Sequence, residues 1–513
     1  MNVSTPPEKA KEKLSSTVMK GGAWLGIAAG AQAVLQIVIF AILARLLSPT
    51  AFGLAAIAGI IIDVAAGVAP LGISQAVVQR KELRPEHLRA AFTLSLATGC
   101  LFAAVLSIAA EPIGRLLGSA DSAPLIAALA WMFPIKSLSF VAEGLAARGK
   151  KFRLLASRQI TAYVLGYGVV GLTCASLGLG AWSLVYAQLT QAAVVALLLN
   201  STVRFPKKPT SDVQAYKDIL SFGSGFSAAR VINSLATQSD RAIVSSFTNP
   251  AAVGLYSRAL QIVRYPTLLV GQVIEDVLFP SFAGVQSDKV RLRQAFYKTQ
   301  GSIFVAMTPV TALVCLTAGQ ICDVLLGSQW TGVVPLVIVF GFALPFRSAQ
   351  RVCSATLRAL GHSWWVAALQ ALLLVATIIG SVIGIRFGLF GAAIAVTIAF
   401  LIHYVALLIA CAVTLELTPG RLIRHHLSGV PIGSLVAIGS MIGAVTATVV
   451  PSIVALIVAG VASAVLTLAG LWVAPRVFIN EDGRWLLSLL LSKAPRKISG
   501  LSAVSAFQMK VLK

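Results

Sequence analysis

Apolar residues come in runs of about 20 along this chain, separated by short clusters of charge. A helix of that length crosses a hydrocarbon core of about 30 Å. Reading the runs between clusters predicts spans near 21–45, 51–78, 91–110, 123–146, 157–176, 180–199, 219–247, 251–281, 300–318, 331–357, 363–385, 388–414, 429–449 and 452–474. The predicted fold is therefore an all-α integral membrane protein of about fourteen transmembrane helices. The first run follows Lys20 and is too long for a signal-peptide core, and no small-residue cleavage site follows it, so it is expected to stay as the first span. The last two spans meet at Pro451 in a tight hairpin. Beyond them, the short run Trp485–Leu491 suits the membrane interface better than its interior.

The pattern repeats at an offset of 201 to 211 residues. Pro49-Thr-Ala-Phe-Gly53-Leu54 matches Pro250-Ala-Ala-Val-Gly254-Leu255, and Leu116-Leu117-Gly118-Ser119 matches Leu325-Leu326-Gly327-Ser328. Pro134-Ile135-Lys136-Ser137 matches Pro345-Phe346-Arg347-Ser348, and Leu177-Gly178-Leu179 answers Phe387-Gly388-Leu389. Six spans separate the copies, so both enter the membrane from the same side. The expected layout is two parallel six-helix bundles related by an axis along the membrane normal, plus two extra C-terminal helices. Its parts are a cytoplasmic N-terminal segment (1–20), an N-terminal bundle (21–200), a cytoplasmic linker (201–218), a C-terminal bundle (219–414), helices 13 and 14 (429–474) and a basic cytoplasmic tail (475–513). Transporters use such repeats to rock two halves around a site at their interface.

Composition agrees with the pattern. Only 12% of the 513 residues are charged, against roughly a quarter in a soluble protein, and mean hydropathy is +0.87. The net charge of +23 would suggest nucleic acid in a soluble protein. Here it is topological, because cytoplasmic loops collect Lys and Arg. With both termini cytoplasmic, the inner segments hold 31 of the 41 Lys and Arg, and the outer loops hold only Arg45, Arg115, Arg258 and Arg386. Most of the charge is then a solvated face near anionic membrane lipids, with no nucleic-acid partner. The outer loops are short, which leaves no exported domain for a large catalytic site, and the chain is not expected to be an enzyme. The six scattered cysteines and five histidines show no metal-ligand spacing, so no metal or cofactor is expected. The pair His425–His426 reads as part of a basic cytoplasmic loop. Gly144-Leu-Ala-Ala-Arg148-Gly149-Lys150-Lys151 nearly spells a P-loop, but Lys151 stands where Ser or Thr is required and no strand precedes it.

Eleven ionisable residues fall inside the predicted spans: Asp63, Lys136, Glu143, Arg230, Asp240, Arg241, Arg264, Glu275, Asp276, Arg347 and Arg351. Each would cost about 3 kcal/mol facing lipid at the bilayer centre, so most must face a wet cavity or one another. Glu143 and the Glu275–Asp276 pair lie nearer the cytoplasmic interface. Ser227, Arg230, Ser234, Gln238 and Arg241 form a stripe along one helical face. Arg347, Arg351 and Arg358 fall within about 40° of one another on another helix. In the repeat, Asp63 maps onto Arg264 and Lys136 onto Arg347, each of the latter two just after a proline that should bend its helix. Cations dominate the middle of the membrane, which suits an anionic substrate group. The candidate substrate-binding residues are Lys136, Arg230, Arg241, Arg264, Arg347 and Arg351, with Asp63 and Asp240 as candidates for ion coupling. Interhelical ion pairing, for example of Asp240 with an arginine of another span, is the alternative for any one of them.

At these motifs the chain resembles the polysaccharide transporter (Wzx-type) family of the multidrug/oligosaccharidyl-lipid/polysaccharide exporter superfamily. The resemblance covers nearly the whole chain. It rests on Arg45-Leu-Leu-Ser-Pro49-Thr-Ala-Phe-Gly53-Leu54, Leu71-Gly72 with Val78-Gln79-Arg80-Lys81, Ser239-Asp240-Arg241 ahead of Gly254-Leu255-Tyr256, Leu278-Phe-Pro280, and Leu325-Leu-Gly-Ser-Gln-Trp330. It implies a flippase in the bacterial inner membrane. Such a protein moves an undecaprenyl-diphosphate-linked oligosaccharide outward for exopolysaccharide, capsule or lipopolysaccharide synthesis. The lipid-linked oligosaccharide would be its substrate, with a glycan polymerase and a chain-length regulator as partners. The family brings no catalytic residues to carry over. A cation-coupled multidrug exporter or a lipid II flippase of the same superfamily stays open, as does a membrane glycan polymerase or ligase. The multidrug exporter would favour a carboxylate-rich cavity, and the polymerase a long periplasmic loop.

Overall fold

The computed structural model describes residues 32–69, 72–80, 82–284, 288–478 and 481–484, without the side chains of 68, 152, 221–233, 268–284 and 476. The N-terminal segment, the start of the first span and the interfacial run Trp485–Leu491 lie outside the described residues. Among the described residues there are helices and no strand. The chain divides into two compact units, Met1–Gly254 and Leu255–Lys513.

The first unit runs through α1 (Gln32–Leu46), α2 (Pro49–Val68), α3 (Ile73–Gln79), α4 (Pro85–Ile108), α5 (Ala110–Leu116), α6 (Ala123–Ala130), α7 (Met132–Ser137) and α8 (Phe140–Arg148). It continues with α9 (Phe152–Tyr163), a π-helical stretch (Val164–Gly171), α10 (Leu172–Ser176), α11 (Trp182–Thr202) and α12 (Val213–Phe247). α13 (Pro250–Gly284) starts in this unit and belongs mostly to the second. There it is followed by α14 (Lys289–Leu316), α15 (Ala318–Leu325), α16 (Val334–Phe342), α17 (Leu344–Ala359), α18 (Ser363–Gly384), α19 (Gly388–Leu415), α20 (Pro419–His426), α21 (Val430–Thr446), α22 (Ser452–Val473) and α23 (Pro475–Phe478).

Seven described helices are long and apolar enough to cross a membrane, or up to nine if each of two bent pairs counts as one span. One of the seven, Ser363–Leu415, contains both α18 and α19. The 35-residue α12 and α13 fall outside this set: the polar stripe on α12, and Gln261, Arg264, Gln272, Glu275 and Asp276 on α13, lower their hydropathy. The predicted span 51–78 is two helices, with Gly72 between them at φ 62°.

The repeat is visible in local geometry. Gly118 and Gly327 both follow a helix end at positive φ (75° and 94°), and Gly178 and Gly388 share a positive φ too (79° and 78°), a region that costs glycine little. Pro49 and Pro250 both open a helix behind a polar cap: Ser48 Oγ accepts from Ala51 N at 3.2 Å, and Asn249 Oδ1 from Ala252 N at 2.9 Å. The two capped turns also touch. A Cβ on Gly53 would overlap the Pro250 carbonyl, and one on Gly254 would overlap that of Pro49.

The bend expected at the repeated prolines lies beside Pro345 but is displaced from Pro134. Pro134 follows an interruption at Trp131 and Pro345 one at Ala343, so each lies in the first turn of a new helix, where a missing N–H costs nothing. The bend in the first copy falls later, between Ser137 and Phe140, at 44°; in the second it falls at Ala343, at 40°.

In the second unit α21 and α22 form a tight hairpin on small residues, with Gly439 against Ser463 and Gly443 against Ala459. The outer face of α22 presents Ile457, Val461 and Val465, more than half exposed, as a lipid-facing helix would.

Candidate functional site

In the first unit two of the eleven ionisable residues, Lys136 and Glu143, stand on either side of the bend between α7 and α8. Lys136 occupies the last turn of α7, where the negative end of the helix dipole favours a cation. Glu143 occupies the first turn of α8, where the positive end favours an anion. Lys136 is half-buried, and the carboxylates of Asp63, on α2, and Glu143 both act on its charge. Each carboxylate is held by a further helix. Gln238 of α12 donates its amide to Asp63 at 2.5 Å. Arg158 of α9 pairs with Glu143 at 2.7 Å, with its side chain 9% exposed against 39% for Glu143.

The other candidates of this unit line α12. Asp240 is buried, and Arg241 is half-buried with its Nε lacking a hydrogen-bond partner among the described residues. Arg230 lies in the segment whose side chains are outside the description.

In the second unit Arg264 is exposed on α13. Arg347 and Arg351 are both half-buried one turn apart on α17, and the Arg347 guanidinium sits 4.2 Å from the centre of the Phe400 ring, a cation–π contact. The side chains of Glu275 and Asp276 are not described.

Two assignments from sequence need correction. Arg158, one of the 31 Lys and Arg expected in the inner segments, is not an open loop charge: it is buried in α9 on Glu143. The hairpin offered a signal, since residues 143 and 158 are equidistant from the turn at Lys150–Lys151 and so face each other. The His425–His426 pair is no open loop. It ends α20, with His425 Nδ1 2.5 Å from the buried Asp482 carboxylate and stacked on Tyr297, and His426 Nε2 2.5 Å from the Tyr404 hydroxyl.

At the cytoplasmic side expected from charge, the loop after α3 is fastened to the start of α12. Arg80 pairs with Asp218 at 2.5 Å, the buried His87 lies 3.3 Å from the same carboxylate, and Arg84 reaches Asp212 at 3.8 Å. The Gln214 amide, ahead of the Arg80 guanidinium, holds the Asp218 carboxyl below its usual range. Among the described residues no three His, Cys, Asp or Glu gather as metal ligands.

The fold recurs in solved membrane transporters. The lipid II flippase MurJ in an inward closed conformation superposes with a TM-score of 0.68 at 13% identity, over 88% of this chain and 99% of that one. An inward-facing multidrug resistance MATE family transporter of the MOP superfamily gives 0.60 at 19% identity, over 75% and 94%. The model of a family described as polysaccharide biosynthesis protein matches residues 42–335, and the chain belongs to this family. Its relatives include the succinoglycan biosynthesis transport protein ExoT of Rhizobium meliloti (strain 1021), 29% identical over 65% of this chain. The lipopolysaccharide biosynthesis protein WzxC of Escherichia coli (strain K12) is 25% identical over 63%. The matched stretch spans 66% of each relative's length.

Proposed function

We propose that the protein is a flippase that moves an undecaprenyl-diphosphate-linked oligosaccharide from the cytoplasmic to the periplasmic leaflet of a bacterial inner membrane, for exopolysaccharide, capsule or lipopolysaccharide synthesis. On this reading fourteen helices cross the membrane as two parallel six-helix bundles and a C-terminal pair, with both termini cytoplasmic, and the chain catalyses no covalent step. A glycan polymerase and a chain-length regulator would take up the product. Lys136, Arg230, Arg241, Arg264, Arg347 and Arg351 serve the diphosphate and the glycan, and Asp63 and Asp240 serve a coupling cation.

The observation that carries the reading is the repeated placement of one cation two residues after a helix-opening proline, Lys136 after Pro134 and Arg347 after Pro345. Family membership and the transport and lipopolysaccharide biosynthesis named for the relatives support it. A diphosphate carries about two negative charges, and an inside-negative potential favours its outward movement by about 2.3 kcal/mol per charge per 100 mV, so no nucleotide site is required.

The test is export by substituted proteins that insert at normal levels. Lys136→Ala and Arg347→Ala should each slow export, the double change more so, and Lys136→Glu or Arg347→Glu more than the matching alanine. Lipid-linked glycan should build up on the cytoplasmic leaflet while peptidoglycan synthesis continues, which separates this reading from lipid II transport. Normal export by both glutamate variants would overturn it.

A further inference from the structure

The Arg347 guanidinium lies over the Phe400 ring, 4.2 Å from its centre, and Phe400 stands near the middle of α19. Both residues are half-buried. Beside this contact, α17 and α19 are joined by other side chains. Phe346, next to Arg347, packs on Tyr404, one turn after Phe400, with ring centres 5.6 Å apart. Tyr404 is held in turn by His426, whose Nε2 lies 2.5 Å from its hydroxyl. Farther along, the Cys411 thiol reaches the Cys353 carbonyl at 3.5 Å. The placement of α19 against α17 therefore does not depend on Arg347.

The repeat supplies a contrast. Arg347 answers Lys136, and because Gly388 answers Gly178, Phe400 answers Thr190. The copy with arginine has a ring at this position, and the copy with lysine has none. A guanidinium is planar, weakly hydrated and stacks on aromatic faces, whereas an ammonium is a compact, strongly hydrated point charge.

We propose that Phe400 is a positioning residue of the transport site: its ring holds the Arg347 guanidinium in place without neutralising it, so that the cation keeps its charge for an anionic headgroup. The proposal rests on the diphosphate reading of Arg347 given above. A carboxylate in the place of the ring would satisfy the cation and compete with the phosphate oxygens. The ring carries no net charge and attracts the cation through its face. It does not compete for the N–H groups, which project from the guanidinium edge and pair with phosphate two at a time. The contact can then persist while the headgroup is bound, and its loss should weaken binding about 3- to 10-fold.

The experiment measures binding of undecaprenyl diphosphate to the purified full chain, together with glycan export in cells by variants that insert at normal levels. Phe400→Leu keeps an apolar side chain but removes the ring face, and should bind about 3- to 10-fold more weakly and export more slowly. Replacing Phe400 with phenylalanine bearing one, two or three ring fluorines keeps the ring and drains its negative face stepwise. Affinity should fall in step with the fluorine count. A ring needed only for packing would bind equally across that series, and this result would overturn the proposal. In Arg347→Ala, titrated to higher lipid concentration, the fluorine series should be flat. The same slope there would mean that the ring acts on the lipid without Arg347, and the proposal would fail. The underlying reading fails separately, if Arg347→Ala binds undecaprenyl diphosphate as well as wild type does.

Discussion

The contact between the two repeated Pro-x-x-x-Gly turns makes a sharp prediction. A Cβ on Gly53 would overlap the Pro250 carbonyl and come within 3.1 Å of Gly254 N, and a Cβ on Gly254 would overlap the Pro49 carbonyl and come within 3.2 Å of Gly53 N. Both obstacles are backbone of a capped first turn, so no side chain can swing aside and the two helix ends must separate. Overpacking of this kind costs about 1–3 kcal/mol. Taking about 2 kcal/mol, and about 3 °C per kcal/mol for a unit of this size, Gly53→Ala should lower Tm by roughly 6 °C. Gly254→Ala should do the same. Because both substitutions open one crossing, the double variant should fall well short of the sum, with a coupling of about 1–2 kcal/mol. Gly59→Ala is the control on the same helix: nothing lies within 4 Å of its Cβ, and alanine is the better helix former by about 0.5–1 kcal/mol, so Tm should hold or rise. Thermal unfolding of the detergent-purified variants, followed by monodispersity on size exclusion, gives all four values. Equal Tm for Gly53→Ala and Gly59→Ala, or an additive double variant, would refute the reasoning.

Single cysteines placed in a cysteine-free background near Arg84, Lys151, Lys207, Arg293 and Arg421 should resist a membrane-impermeant reagent in intact cells. Those near Pro49, Leu116, Pro250 and Ser328 should react, and labelling near Lys151 would reverse the assigned topology. Because the folded protein holds the Asp218 carboxyl below its ordinary value, its pairing with Arg80 is complete above the unfolded value near 4 and is lost as pH falls through the folded one. Acid unfolding of Asp218→Asn should therefore show a shallower loss of stability in that window than wild type, and identical acid limbs would count against the contact.

Much of the fold was legible because a bilayer enforces one simple rule: about 20 apolar residues per crossing. Helix occupies most of each predicted interval within the described residues, and the glycines at 118 and 327, like those at 178 and 388, share a positive φ. What periodicity could not reveal was where helices stop inside a run. The interval 51–78 is broken at Gly72, and Pro134 and Pro345 open helices that apolar counting had treated as continuous. A proline in a first turn and one in a helix interior look alike in a hydropathy trace and differ only in whether an N–H was needed there.

The site was half legible for a related reason. An Asp63 or Lys136 inside an apolar run announces itself, because the cost of burying it demands a partner or water. The partner's identity is a matter of packing: Asp482 lies 57 residues beyond His425, and Gln238 lies 175 beyond Asp63. Counting charges therefore read the site by its cations alone; in the fold the carboxylates of Asp63 and Glu143 also act on the charge of Lys136, and Arg158 pairs with Glu143. On the reading proposed here the difference matters to transport. A cluster of unopposed cations in a medium of low dielectric would hold a diphosphate too firmly to let it go, and a carrier must bind well enough to load and weakly enough to unload. Carboxylates within electrostatic reach of a cation, as Asp63 and Glu143 are of Lys136, weaken that hold. Loading and release then differ by only a small free energy, which a membrane potential of ordinary size can tip outward.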